Sequence, residues 1–103
     1  MKKLERKESL EGILKTNDIV LIDFYADWCG PCVMLKPILK KVAEETKNVL
    51  FLAIDVEEHQ ELARTFNVTS IPLLVVYKGG VEVARKTGFQ THDQIISLLN
   101  TDK

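Results

Sequence analysis

The segment from Ile19 to Tyr25 constrains the fold of this chain more than any other segment, because only one of its residues, Asp23, is charged. A strand that is apolar on both faces is typical of the centre of a sheet that has helices packed on each side. A helical pattern follows this strand closely. The segment therefore predicts an α/β protein with residues 19–25 at the centre of its sheet.

The only two cysteines follow this strand, two residues apart, in the motif Trp28-Cys29-Gly30-Pro31-Cys32. A helix is predicted to begin there, and the positive end of its dipole favours the thiolate of Cys29. A thiolate that attacks a disulfide forms a mixed disulfide, which a second thiol within reach must resolve. We therefore predict Cys29 as the nucleophile and Cys32 as the resolving thiol. Pro31 suits the first helical turn, and Gly30 lets another chain approach closely.

Two other interpretations of the cysteine pair are weaker. A permanent structural disulfide between such close neighbours would close a very small loop and would stabilise the fold little. A structural zinc site needs about four ligands, and only His59 and His92 could add to the two cysteines. Both histidines are predicted to be solvated, so we expect no metal and no catalytic histidine.

Length and charge limit the classes of function. With 103 residues, of which 46% are hydrophobic and 28% charged, the chain is expected to form a single domain over residues 1–103. A net charge of -1 argues against binding to nucleic acid or to an anionic membrane. The basic start has no apolar core behind it, and the apolar run 71–77 is too short to span a bilayer. A cytoplasmic protein is expected, and there a disulfide is usually transient and catalytic.

Hydrophobic spacing predicts alternating strands and helices without a linker or repeat. Besides residues 19–25, strands are predicted at 2–6, 49–54, 73–77 and 81–86, the last two joined by a hairpin turn at Lys78-Gly79-Gly80. Helices are predicted around residues 10–14, over 31–47, near 62–66, and after a capping box at 91–94. The sheet should therefore be mixed, with helices on both faces.

The motifs resemble the thioredoxin family along essentially the whole chain. The resemblance rests on the run from Val20 to Cys32 and then on Lys36-Pro37, Ile71-Pro72, Gly80 and Gly88. It implies the thioredoxin fold, a central mixed five-stranded sheet flanked by four helices. It also implies a cytoplasmic, monomeric protein-disulfide reductase that carries electrons from a thioredoxin reductase to disulfide-containing target proteins. Such a protein binds no cofactor, because the Cys29-Cys32 dithiol holds the electrons.

Asp23 interrupts the apolar strand, where an unpaired carboxylate is costly. From the residues alone, a bulge or a strand end that reaches water remains open as an explanation. The resemblance implies instead a buried aspartate behind Cys32 that accepts and donates its proton. Family members often have a lysine near this aspartate, and Ala53 occupies that position here. Desolvation should then dominate and raise the pKa of Asp23.

The substrate-binding residues follow from the resemblance. A trans bond before Pro72 is the default for a strand start, whereas the family has a cis proline there, beside the cysteines. The backbone of Ile71 would then bind an extended target by strand addition. A docking rim is predicted at Trp28, Gly80, Gly88 and Phe89. Core packing of Trp28 and plain turn roles for the glycines remain alternatives.

Two other functions remain open. A glutaredoxin-like or oxidising enzyme would share the cysteine pair, but Gly30-Pro31 favours a reducing protein. A subunit that uses the fold only as a binding surface would not need the thiols at all. A redox potential and a double serine variant of Cys29 and Cys32 would discriminate these possibilities.

Overall fold

The computed structural model describes residues 1–102, and within them one mixed sheet of five strands is flanked by four helices. The order along the chain is β1 (Lys2–Lys3), α1 (Leu10–Thr16), β2 (Ile19–Tyr25), α2 (Gly30–Glu45), β3 (Leu50–Asp55), α3 (Gln60–Thr65), β4 (Leu73–Lys78), β5 (Val81–Thr87) and α4 (His92–Leu99). The predicted fold class is confirmed.

The strand predicted at the sheet centre occupies that position. The strand order is β1-β3-β2-β4-β5, so β2 has a neighbour on each side. It runs parallel to β3 and antiparallel to β4, and β3 also pairs in parallel with β1. The hairpin β4–β5 is antiparallel, as predicted, and both of its turn glycines have positive φ, 59° at Gly79 and 78° at Gly80.

Alternate residues of β2 build two separate cores. Leu21 packs with the buried face of α2 and with α4, on one side of the sheet. Val20, Ile22 and Phe24 belong to the core on the other side, which α1 and α3 cover. Because side chains alternate along a strand, Asp23 and Tyr25 share the α2 side with Leu21.

Several boundaries differ from the predicted ones by a few residues. β1 ends at Lys3 and not at residue 6, because the chain turns there through hydrogen bonds between Glu5 and Glu8. Helix α2 begins one residue early, at Gly30, and ends at Glu45, where Thr46 has extended backbone angles. The final helix begins with the predicted capping box, in which Thr91 and Gln94 exchange hydrogen bonds.

Candidate functional site

The candidate site lies at the end of the sheet where β2 leads into α2. Phe24 near the end of β2 pairs with Leu73 at the start of antiparallel β4. Residues just before β4 therefore lie beside residues just after β2. This topology brings Ile71 and Pro72 next to Cys29, although more than 40 residues separate them in the chain.

Cys29 is the N-cap residue of α2. Its Sγ accepts a hydrogen bond from the backbone N–H of Cys32, at 3.3 Å, which satisfies one of the free donors of the first helical turn. Cys29 and Cys32 form a disulfide, with their Cα atoms 5.2 Å apart. Cys29 is 5% exposed and Cys32 is 1% exposed. A partner therefore reaches the pair only at its Cys29 edge.

The loop before β4 closes one side of the cysteine pair. The carbonyl oxygen of Ile71 lies 3.9 Å from Sγ of Cys29, and the Ile71–Pro72 bond is cis, as the resemblance implies. The backbone N–H of Gly88 donates to the carbonyl oxygen of Pro72, at 2.7 Å. Gly88 has φ of 93°, which a residue with a Cβ rarely adopts. These contacts hold the end of β5, and exposed Phe89 beyond it, beside the loop.

The side chain of Asp23 is fully buried, and neither carboxylate oxygen has a hydrogen-bond partner among the described residues. The sequence alternative of a bulge or a solvent-reaching strand end is therefore wrong, since β2 continues in regular register through Asp23. Burial raises the pKa of Asp23 to about 7, and the charge of Lys36 acts in the opposite direction. A cation thus acts on Asp23 from α2, although its neighbour on β3 is Ala53, as the sequence predicted.

Trp28 lies on the surface, with 69% of its area exposed, so the core alternative for this ring is wrong. Its indole N–H donates to a carboxylate oxygen of Glu57, at 2.8 Å. A hydrogen bond to a charged acceptor is stronger than one between neutral groups. The ring is therefore fixed next to Cys29 and is not buried.

The family model named Thioredoxin matches residues 1–101 of this chain. The chain belongs to the thioredoxin family. A thioredoxin from Chlamydia caviae is 39% identical over 100 residues, which are 97% of this chain and 97% of that protein. A solved mutant thioredoxin from Halobacterium salinarum superposes with a TM-score of 0.89 at 38% identity, over 99% of this chain and 91% of that one. A bifunctional thioredoxin reductase/thioredoxin from Mycobacterium leprae is 46% identical over 77 residues, which are 74% of this chain and 17% of that protein.

Membership of the thioredoxin family, together with the bonded Cys29–Cys32 pair, makes this protein a thiol–disulfide oxidoreductase. Such a protein works by exchanging a disulfide with a pair of thiols, so the cysteine pair itself carries the electrons. The bonded pair in the structure corresponds to the oxidised form.

Two predictions about single residues of this thioredoxin-family chain need correction. Gly80 lies in the β4–β5 turn, two residues after Lys78, which pairs with Ile19 at the start of β2. This is the opposite end of the sheet from Cys29, so Gly80 is not part of the docking rim. His59 was expected to be solvated, yet its side chain is 8% exposed and its Nε2 lies 3.0 Å from the carbonyl oxygen of Leu4. The histidine is held by the chain segment that follows β1.

Sequence reasoning did not find Val33, Met34 or Glu57 as site residues. Val33 and Met34 follow Cys32 on α2, and each is more than half exposed. They are apolar residues outside the buried stripe of the helix, whose members are Cys32, Leu35, Leu39 and Val42. That signal was present in the sequence. Glu57 gave no such signal, because only the folded chain brings it to Trp28.

Other kinds of site are not found in the described part of the chain. Across residues 1–102, no group of three or more His, Cys, Asp or Glu side chains is placed to hold a metal ion. None of the helices within these residues is both long enough and apolar enough to cross a membrane.

Proposed function

We propose that this chain reduces protein disulfides with Cys29 as the nucleophile and Cys32 as the resolving thiol. The observation that carries the proposal is the cap of α2, where Sγ of Cys29 accepts the N–H of Cys32 at 3.3 Å. In the reduced protein, a thiolate on Cys29 accepts a hydrogen bond from this N–H. The positive end of the helix dipole also stabilises its negative charge. The Cys32 thiol is more deeply buried, with 1% of its area exposed against 5% for Cys29.

The proposed reaction has two exchange steps. The Cys29 thiolate attacks one sulfur of a target disulfide, forms a mixed disulfide with it, and releases the other target sulfur as a thiolate. Cys32 then loses its proton and attacks Sγ of Cys29. This step forms the Cys29–Cys32 disulfide and releases the second target thiolate. Two electrons have passed from the dithiol to the target, which takes up two protons.

Asp23 is proposed as the group that accepts the Cys32 proton. A carboxylate with a pKa of about 7 is divided between its two protonation states at neutral pH. A general base of this kind is most efficient near the working pH. Cys32 is buried on the side of the sheet that α2 covers, which is also the side of Asp23, and within residues 1–102 neither carboxylate oxygen of Asp23 has a hydrogen bond that would compete for its charge.

A docking surface for targets is proposed around Cys29. A cluster of exposed apolar side chains marks a site of interaction, and four of the large exposed ones lie around the cysteines. The docking surface comprises Trp28, Val33, Met34, Ile71, Pro72, Gly88 and Phe89, with Gly30 and Pro31 beside the sulfur atoms. The backbone of Ile71 is proposed to pair with an extended target segment.

The partners are proposed to be a thioredoxin reductase as electron donor and disulfide-containing proteins as targets. The reductase is implied by the family, and the fused Mycobacterium leprae relative supports it, since its name joins the two activities. We further propose that residues 1–103 act as one domain and as a monomer in the cytoplasm. A reducing compartment suits a dithiol that must be regenerated after each turnover.

A coupled assay tests the proposed function. The protein is mixed with a thioredoxin reductase, NADPH and insulin, and NADPH oxidation is followed. The wild type should reduce insulin catalytically, whereas Cys29→Ser should give the rate of the blank. A Cys29→Ser variant that reduces insulin at the wild-type rate would overturn the proposal.

A further inference from the structure

We propose that Lys36 is a positioning residue of the reaction, whose ammonium group favours the ionised form of Asp23 while Cys32 is deprotonated. This proposal rests on the proposed role of Asp23 as proton acceptor. Family members often have a lysine on β3 near this aspartate, at the position of Ala53. In this chain, the positive charge near Asp23 would come from Lys36 on α2.

Helix periodicity places Lys36 near the reacting groups. Lys36 follows Cys32 by four residues on α2, which is about one helical turn, so the two side chains lie on neighbouring parts of the same helix face. Cys32 and Tyr25 belong to one buried cluster, and partly buried Ala53 packs against that cluster. The base of that cluster is the part of the sheet that contains Asp23, since Asp23 and Ala53 are register partners.

A contact with Tyr25 fixes where the Lys36 charge sits. Nζ of Lys36 lies 5.0 Å from the centre of the Tyr25 ring, within the range of a cation–π contact. Tyr25 is two residues from Asp23 on β2, so the two side chains are on the same face of the sheet. The ammonium group is therefore held above the strand that carries the buried carboxylate, although Lys36 itself is exposed.

Few other charges face Asp23. Its register partners are Ala53 on β3 and Leu74 on β4, neither of which can ionise. The groups that face it from its own strand and from α2 are Tyr25, Cys32 and Lys36. Around the Tyr25 hydroxyl group lie further charges, those of Lys3, Asp27 and Asp55. Lys36 is the charge that lowers the pKa of Asp23 against the larger effect of burial.

The consequence for the reaction follows from charge. Without the Lys36 ammonium, the Asp23 carboxylate loses its stabilising cation, so more of it is protonated at neutral pH. A protonated carboxyl cannot accept the proton of Cys32. The resolving step should therefore slow near pH 7 and recover at higher pH, where Asp23 ionises again.

The test measures the Asp23 carboxyl group directly and uses matched lysine variants. Carbon-13 NMR of oxidised protein should show an upward shift of the Asp23 pKa in Lys36→Met. Lys40→Met removes a charge one turn further along the same helix and should leave the pKa unchanged. Lys36→Arg keeps the charge and should behave as wild type. Adding Ala53→Lys to Lys36→Met should move the pKa back down, because position 53 is the register partner of Asp23.

The kinetic arm follows the pH dependence of mixed-disulfide resolution. We expect the Lys36→Met profile to move to higher pH, and the profiles of Lys40→Met and Lys36→Arg to match the wild type. An unchanged Asp23 pKa in Lys36→Met, equal shifts in Lys36→Met and Lys40→Met, or an unmoved pH profile would each overturn the proposal. A different result would contradict the proposed role of Asp23 itself. If Asp23 does not accept the Cys32 proton, Asp23→Asn should resolve mixed disulfides at the wild-type rate.

Discussion

The indole N–H of Trp28 donates a hydrogen bond to a carboxylate oxygen of Glu57, with a donor–acceptor distance of 2.8 Å. Trp28 comes directly before Cys29, the proposed nucleophile, whereas Glu57 lies in the loop between β3 and α3. This bond ties Trp28, a member of the proposed docking surface, to the loop between β3 and α3. It also holds an exposed aromatic ring in one orientation, which lowers the entropy that a partner must remove when it binds.

Removing the Glu57 carboxylate should therefore weaken target binding without touching the thiols. For Glu57→Ala we expect KM for a protein disulfide to rise roughly twofold to fivefold at a nearly constant kcat. Fluorescence anisotropy of Trp28, the only tryptophan, should fall as the ring gains freedom. Glu61→Ala is the matched control, since Glu61 is an exposed acid without a contact to Trp28. Equal effects of both variants would indicate a general charge effect and not a positioned ring.

The buried Asp23 should make stability fall as pH rises. Its folded pKa of about 7 lies above the ordinary aspartate value of 3.8, so ionisation opposes folding. The loss begins above the unfolded pKa, grows through the interval between the two values, and is complete above the folded pKa. From that interval the cost reaches as much as about 4 kcal/mol at high pH.

Asp23→Asn should remove this pH dependence. A buried amide without partners still costs about 1–3 kcal/mol, so the variant should gain little or lose stability near pH 4. Near pH 8 it should be more stable than the wild type. Guanidinium denaturation at pH 4, 6 and 8 measures the difference, which should grow with pH. A constant difference across this range would mean that Asp23 does not ionise in the folded protein.

Much of the fold could be predicted because local patterns and tertiary structure agree. The apolar run of β2 predicted a central strand, and the spacing of Thr91 and Gln94 predicted the start of α4. The hairpin turn followed from Gly79 and Gly80. These features depend on neighbours in sequence, so the sequence contains the signal.

The contacts of the candidate site were harder to predict, because they join residues that are far apart in sequence. Trp28 and Glu57 meet only after β2 and β3 pair, and His59 becomes buried only when α3 packs beside the segment that follows β1. Gly80 was assigned to the wrong end of the sheet for the same reason. A glycine motif shows that a turn is present, but the strand register decides which end of the sheet that turn occupies.

Gly30 and Gly88 should differ in what an added methyl group costs. Gly88 has φ of 93°, so Gly88→Ala should lower stability by about 1–2 kcal/mol through backbone strain. Gly30 lies in α2, and a Cβ there meets no atom within 4 Å. Gly30→Ala should therefore keep or slightly raise stability. If Gly30 gives targets close access, that variant should raise KM, and denaturation midpoints beside insulin kinetics check both statements.

The central claim is that Cys29 attacks and Cys32 resolves. Its most direct test is to mix reduced Cys29→Ser and reduced Cys32→Ser, separately, with a disulfide-containing target and to measure the covalent complex by non-reducing electrophoresis and mass spectrometry. The two variants are matched controls for each other, since each retains one thiol of the same pair. We expect Cys32→Ser to accumulate a stable mixed disulfide through Cys29, and Cys29→Ser to form almost none. Equal trapping by both variants, or trapping mainly through Cys32, would contradict the assignment.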